Sequence, residues 1–170
     1  MKYIFYFTIF FFFVSCKQEN KILKGKKPPK AHFTSYSGDG SSWDLYFPDT
    51  IFLNRKYNGR IVYKGVLDTI TTSFDDKHSR YIQAVMMTSD KLNIDFKTLR
   101  KTAKDTFGAN NYREINFYDI SFKKPGINYI HGYIIDHLFL EAKGTKPEDS
   151  LVRMIEKEVT LNCKVYVKKE

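Results

Sequence analysis

The chain has two cysteines, Cys16 and Cys163, in 170 residues. That excludes the disulfide framework of small secreted domains. It also lacks an apolar run of membrane-spanning length. The run Tyr3–Val14 is twelve residues long; as a helix it would cover about 18 Å at about 1.5 Å per residue, whereas a bilayer core is about 30 Å thick. No Gly-x-Ser-x-Gly elbow occurs, so the hydrolase turn that presents a nucleophilic serine is missing. Gly38-x-Gly40 has no third glycine and no strand–turn–helix frame to cradle a phosphate. "GDGSSWD" (38–44), through Asp39, Ser41 and Asp44, lacks the Asp-x-Asp-x-Asp-Gly spacing of a calcium loop and reads as a tight turn. No internal repeat is visible.

The short apolar run at the front has a positive residue before it, Lys2, and small or polar residues after it. That is the layout of a signal peptide, with an apolar stretch of about 7–15 residues. It is too long and too uniform for a core strand, because nothing in it alternates. It ends in Phe13-Val14-Ser15-Cys16. This tetrad resembles the lipobox of bacterial lipoproteins, with Phe13 where Leu is usual. The resemblance implies a diacylglyceryl thioether on Cys16, cleavage between Ser15 and Cys16, and a mature N-terminus at Cys16. Buried methylenes contribute about 0.8 kcal/mol each, and two or three acyl chains on one residue would hold the protein on a membrane. Lys17 follows the cysteine, so the acidic inner-membrane retention signal of enteric bacteria is missing. "KQEN" (17–20) is similar to the lysine-and-acid export patch of some Bacteroidota lipoproteins. The expected location is therefore the outer membrane, facing either the periplasm or the cell surface.

A formal charge of +9 suggests nucleic acid until it is located. Lys2 leaves with the signal peptide, and residues 17–30, "KQENKILKGKKPPK", carry six Lys and one Glu. Subtracting that +1 and that +5 from +9 leaves +3 on residues 31–170. Its lysines are interspersed with acids, so nucleic-acid binding is rejected. The lysines of 17–30 instead sit beside the expected lipid, where an anionic surface contributes up to about 1 kcal/mol each. Gly25 loosens this segment and Pro28-Pro29 stiffens it; as a coil, fourteen residues would span roughly 20 Å. The domain plan is thus signal peptide 1–15, lipidated tether 16–30 and folded domain 31–170.

From Trp43 onward the chain reads mainly as β-strands. Val159, Leu161, Cys163, Val165 and Val167 alternate with polar residues, the mark of a half-buried strand with Cys163 turned inward. Residues 113–122 and 127–142 are strand-like and flank Lys123-Lys124-Pro125-Gly126, whose Pro-Gly suits a type II turn and predicts a hairpin. Residues 150–157 have both helical spacing and continuity with the last strand, and strand is preferred. "SWDLYF", "TIFLN", "GRIVYKGVLDTITTSF" and "RYIQAVMMT" are further strands, punctuated by Asp39-Gly40, Asn58-Gly59 and Asp75-Asp76. Phe96, Leu99, Ala103 and Phe107, followed by Gly108, predict one short helix near 95–107. Seven or so short strands argue for an antiparallel β-sandwich. The pattern resembles immunoglobulin-like domains of secreted bacterial proteins, without their Cys…Trp…Cys hallmark.

Chemistry is sparse. His131 and His137 share a strand face but lie about 20 Å apart in an extended chain, too far for one ion. His78 beside Asp75 and Asp76 reads as a polar turn, and Glu148-Asp149 as solvated loop charges. Ser41 and Ser42 have no activating frame, and an inward Cys163 is expected to be inert. Tyr133 and Tyr166 are candidates for a binding face, or for cross-strand pairing. No catalytic residue, metal ligand or cofactor is assigned. The expectation is a lipid-anchored envelope protein that binds or scaffolds an envelope partner. Its alternatives are an envelope hydrolase or metal-dependent enzyme, and an inhibitor or immunity-type lipoprotein.

Overall fold

The computed structural model describes residues 32–71, 78–143 and 150–170. The signal peptide, Ser15, Cys16 and the tether lie outside the described residues, as do Asp75, Asp76, Glu148 and Asp149. The described residues are mainly β, with two sheets and one short helix among them. The first sheet has four strands, β1 (His32–Tyr36), β2 (Ser42–Tyr46), β4 (Tyr57–Lys64) and β7 (Glu114–Ile120), in the order β1-β2-β4-β7. The second has five, β3 (Thr50–Phe52), β5 (His78–Ser89), β6 (Asp105–Gly108), β8 (Gly126–Lys143) and β9 (Ser150–Lys168), in the order β3-β9-β8-β5-β6.

The final strand follows its sequence pattern. Val159, Leu161, Cys163, Val165 and Val167 are all buried, and β9 is continuous from Ser150, so residues 150–157 are strand rather than helix. One core joins the sheets. Trp43, Leu45, Ile61, Tyr63, Ile115 and Phe117 of the first meet Ile82, Met86, Ile130, Ile134, Leu161 and Val165 of the second. At the middle of β8 the core closes over Gly132, where a Cβ would stand 2.5 Å from the Val85 carbonyl oxygen. Only glycine lets β5 and the core side chains approach that closely.

Three expectations are corrected. Residues 113–122 and 127–142 form no hairpin. β7 pairs with β4 in the first sheet and β8 pairs with β5 and β9 in the second. The Pro-Gly turn keeps its local geometry, with Gly126 at φ +95. However, Phe122 is buried in the core before the turn and Asn54 N–H bonds the Phe122 carbonyl, so the chain crosses between sheets there. The sheets are not purely antiparallel, because β3 runs parallel to β9. The helix α1 is Phe96–Thr102, shorter than expected. Asp95 caps it by accepting from Thr98 N–H, and Ala103 ends it. Phe107 then enters β6 opposite Ala84 and reaches the core as a strand residue. Two further differences are local: β1 precedes the strands expected from the sequence, and "GVLDT" forms a 3-10 turn, Val66–Thr69, rather than strand.

The helix explains why β8 reads as a nearly continuous apolar run. Its even-numbered residues face the first sheet. Tyr133 and Ile135 on the other face pack with Val85, Leu99, Ala103 and Phe96 under α1. A strand covered on both faces loses its polar alternation.

Candidate functional site

Two places concentrate polar bonding capacity. The first is a buried ion cluster. Arg80 and Asp136 fall in the core-facing phase of β5 and β8, and both side chains are fully buried. Arg80 Nε donates to Asp136 Oδ1 at 2.8 Å and Nη2 to Oδ2 at 2.6 Å, a bidentate pair. Arg80 Nη1 donates to the Thr71 carbonyl at 2.6 Å and stands 2.8 Å from Asp68 Oδ1, an ion pair by distance. Asp68 Oδ2 lies 3.6 Å from Arg113 Nη1. Two cations thus face two anions. Burial opposes the charge on Arg80, but hydrogen bonding to Asp136 leads the contributions that keep the guanidinium above its usual value. Tyr63, also in the core, has its hydroxyl pushed up by burial and then by the Asp136 charge, so it stays neutral. Ser41 is buried and accepts from Val66 N–H at 3.2 Å, which ties the turn before β2 to the 3-10 turn above the cluster.

The second place is the outer edge of β9. Along Ser150–Val167 one side of this strand pairs with β8. The other side pairs with β3 at Tyr166–Lys168 alone. Among the described residues no strand lies against the outer side of 150–165. The phase of the ladder is set by two bonds. Tyr166 N–H reaches outward to the Asp49 carbonyl, and the Thr160 carbonyl accepts from Trp43 Nε1 at 3.0 Å. Successive residues point their backbone groups to opposite sides, so Met154, Glu156, Glu158, Thr160, Asn162 and Lys164 direct theirs outward. A cleft opens on each face of this edge. One, of about 440 Å³, lies between β1 and β9 and is lined by Phe33, Ser35, Trp43 and Leu161. The other, of about 190 Å³, lies on the opposite face beneath the Leu92–Leu99 segment, with Ile94, Phe96 and His131 in its lining. Thr160, Leu161 and Asn162 line both.

The residues singled out from sequence are scattered. His131 is buried, its Nε2 2.8 Å from the Lys91 carbonyl oxygen. His137 Nε2 lies 2.8 Å from Glu156 Oε2. Among the described residues no three His, Cys, Asp or Glu side chains come together to hold a metal. Asp39 accepts from Ser41 N–H at 2.9 Å, which holds its carboxyl below the usual range and makes 38–41 a turn. Asp44 accepts from Thr34 Oγ1 across the β1–β2 pair. Tyr133 is core, edge-on to Phe96, while Tyr166 is exposed beside β3. Arg80 and Asp136 escaped the sequence reading, although their strand phase marks them. Arg80 alternates with Ile82, Ala84 and Met86, and Asp136 with Ile130, Ile134 and Leu138.

Cys163 is a free, buried thiol that burial pushes up to about 12. An unfolded thiol ionises near about 8.5, so the unfolded chain loses its proton first as pH rises. The stability this group contributes is complete below about pH 8.5 and is lost toward pH 12. Between about pH 8.5 and 10 the urea midpoint is expected to fall more steeply for the native sequence than for Cys163→Ala. Equal slopes would show that water reaches the thiol in the folded protein.

No family model, no curated protein and no solved structure matches the chain.

Proposed function

We propose that this chain is a lipid-anchored protein of the bacterial cell envelope whose folded domain holds a partner protein. In this reading the two sheets form a β-sandwich of immunoglobulin-like character, raised from the membrane on the tether 16–30. The open edge of β9 carries the binding function. Its row of outward backbone groups, with a cleft on each face, suits a macromolecular partner better than a small substrate. The alternative of catalysis gains no support from the buried charges. Asp136 is held by Arg80, and Asp68 lies between Arg80 and Arg113, so both carboxylates face cations of the protein itself. The anchor rests on Phe13-Val14-Ser15-Cys16.

Metabolic labelling with palmitate tests the anchor. The protein expressed in a bacterial host is expected to take up label and to fractionate with membranes. Cys16→Ala is expected to lose the label, retain its leader and leave the lipoprotein pool. Label retained in Cys16→Ala, or absent from the unaltered protein, would sink the reading.

A further inference from the structure

We infer that β9 recruits an extended segment of another protein as an additional strand of the five-stranded sheet. This inference rests on the binding reading above and specifies its partner. A strand edge is a row of alternating N–H and C=O groups, and the group that matches it is the backbone of another extended chain. The row here is long and regular, since the β8–β9 register is continuous from Gly126–Val167 to Lys143–Ser150. The Trp43 indole takes the Thr160 carbonyl and leaves the flanking outward positions, from Met154 to Glu158 and from Asn162 to Lys164, for a partner.

Side-chain selection follows from the pleat. Successive residues of an added strand point to opposite faces. Those on one face would enter the cleft walled by Phe33, Trp43 and Leu161, and their neighbours the cleft beneath Ile94 and Phe96. Each cleft has an apolar wall, Phe33, Trp43 and Leu161 on one side and Ile94, Phe96 and Leu99 on the other, set among polar neighbours such as Ser35 and Asn93. Apolar residues therefore suit alternate positions where they meet those walls. Charge selects the flanks. Of the acids of β9, Glu158 forms an ion pair with Arg100, and Glu156 lies 2.8 Å from the His137 imidazole. Arg153 and Lys164 carry no such ion pair among the described residues, and both are exposed. An occupant with an acidic residue near either end of its strand complements them, since opposite charges across a strand pair contribute. The occupant is therefore an extended, period-two apolar segment with acidic flanks.

The test pans the mature, lipidated protein in detergent against displayed random peptides about twelve residues long, enough to run from Arg153 to Lys164 at about 3.3 Å per residue. Enriched peptides are expected to alternate apolar and polar residues and to carry acids at their flanks. The strongest is then synthesised with N-methyl groups at alternate backbone positions. Methylation in one phase, which removes the donors facing β9, is expected to weaken binding about tenfold or more, and methylation in the other phase much less. Asn162→Pro removes an outward N–H and no β8 ladder bond, so it is expected to weaken binding similarly without loss of the cooperative melt. Enriched peptides without alternation, or equal tolerance of both methylation phases, would overturn the inference. So would a mature protein that is a dimer broken by Asn162→Pro, because the edge would then belong to a second copy. Binding that appears only after deletion of residues 17–30 would assign the edge to the tether instead. Palmitate labelling reads the anchor alone, so failure of the edge and failure of the anchor are told apart.

Discussion

Asp136→Ala is expected to destabilise the protein by about 3–5 kcal/mol, a large part of the stability of a domain this size. The pair it breaks has no exposed side. Arg80 and Asp136 are fully buried and joined by two hydrogen bonds of 2.8 and 2.6 Å. Removing the carboxylate leaves a guanidinium in the core with the Thr71 carbonyl and a poorly aligned Asp68 as its partners. The cost is that of an uncompensated buried charge, not the net worth of the pair. The double change Arg80→Met with Asp136→Leu is therefore expected to recover most of the loss, because it removes both desolvation costs and restores packing. Urea unfolding measures both, through the midpoint at constant slope. A single-variant cost below about 1 kcal/mol would mean that the guanidinium finds water when its partner is gone.

The same pair shows what the sequence could and could not disclose. Burial of an arginine is legible as a violation of phase, since Arg80 occupies the inward position of a strand whose other inward residues are Ile82, Ala84 and Met86. Its partner on β8 is 56 residues away, and nothing local to either strand specifies that they meet. The same division holds for the fold. β9 was readable because its alternation is a local property of the chain. The false hairpin at Lys123–Gly126 was equally local, since turn chemistry fixes a bend but not the sheet that the next strand joins. That choice is made by distant partners, Ile115 opposite Ile61 on one side and Ile130 opposite Cys163 on the other. Phe107 has helical spacing from Ala103 yet belongs to a strand, because pairing with Ala84 overrides the periodicity. The candidate site is less legible still. Whether a strand is central or at an edge depends on every other strand, and the sequence of β9 carries no mark of which side is open.

Trp43→Ala is expected to cost about 3–5 kcal/mol, and Trp43→Phe about 1–2 kcal/mol. Trp43 is the sole tryptophan, 4 % exposed, and it makes a cross-sheet bond. It stands on β2, and its indole N–H crosses to the Thr160 carbonyl on β9, 117 residues away. Alanine deletes the ring from the core between the sheets and opens a void there. Phenylalanine keeps most of the apolar body but leaves an outward carbonyl with no indole donor. The difference between the two variants separates packing from hydrogen bonding. If Trp43→Phe unfolds at the urea midpoint of the unaltered protein, water replaces the indole and the bond contributes nothing to holding the sheets together. The same ring walls the cleft between β1 and β9. Its fluorescence should therefore shift to longer wavelength when the sheets part in urea, and should respond when an added strand fills the cleft beside it. An emission spectrum indifferent to a peptide that binds would place that peptide away from this edge, whatever its affinity.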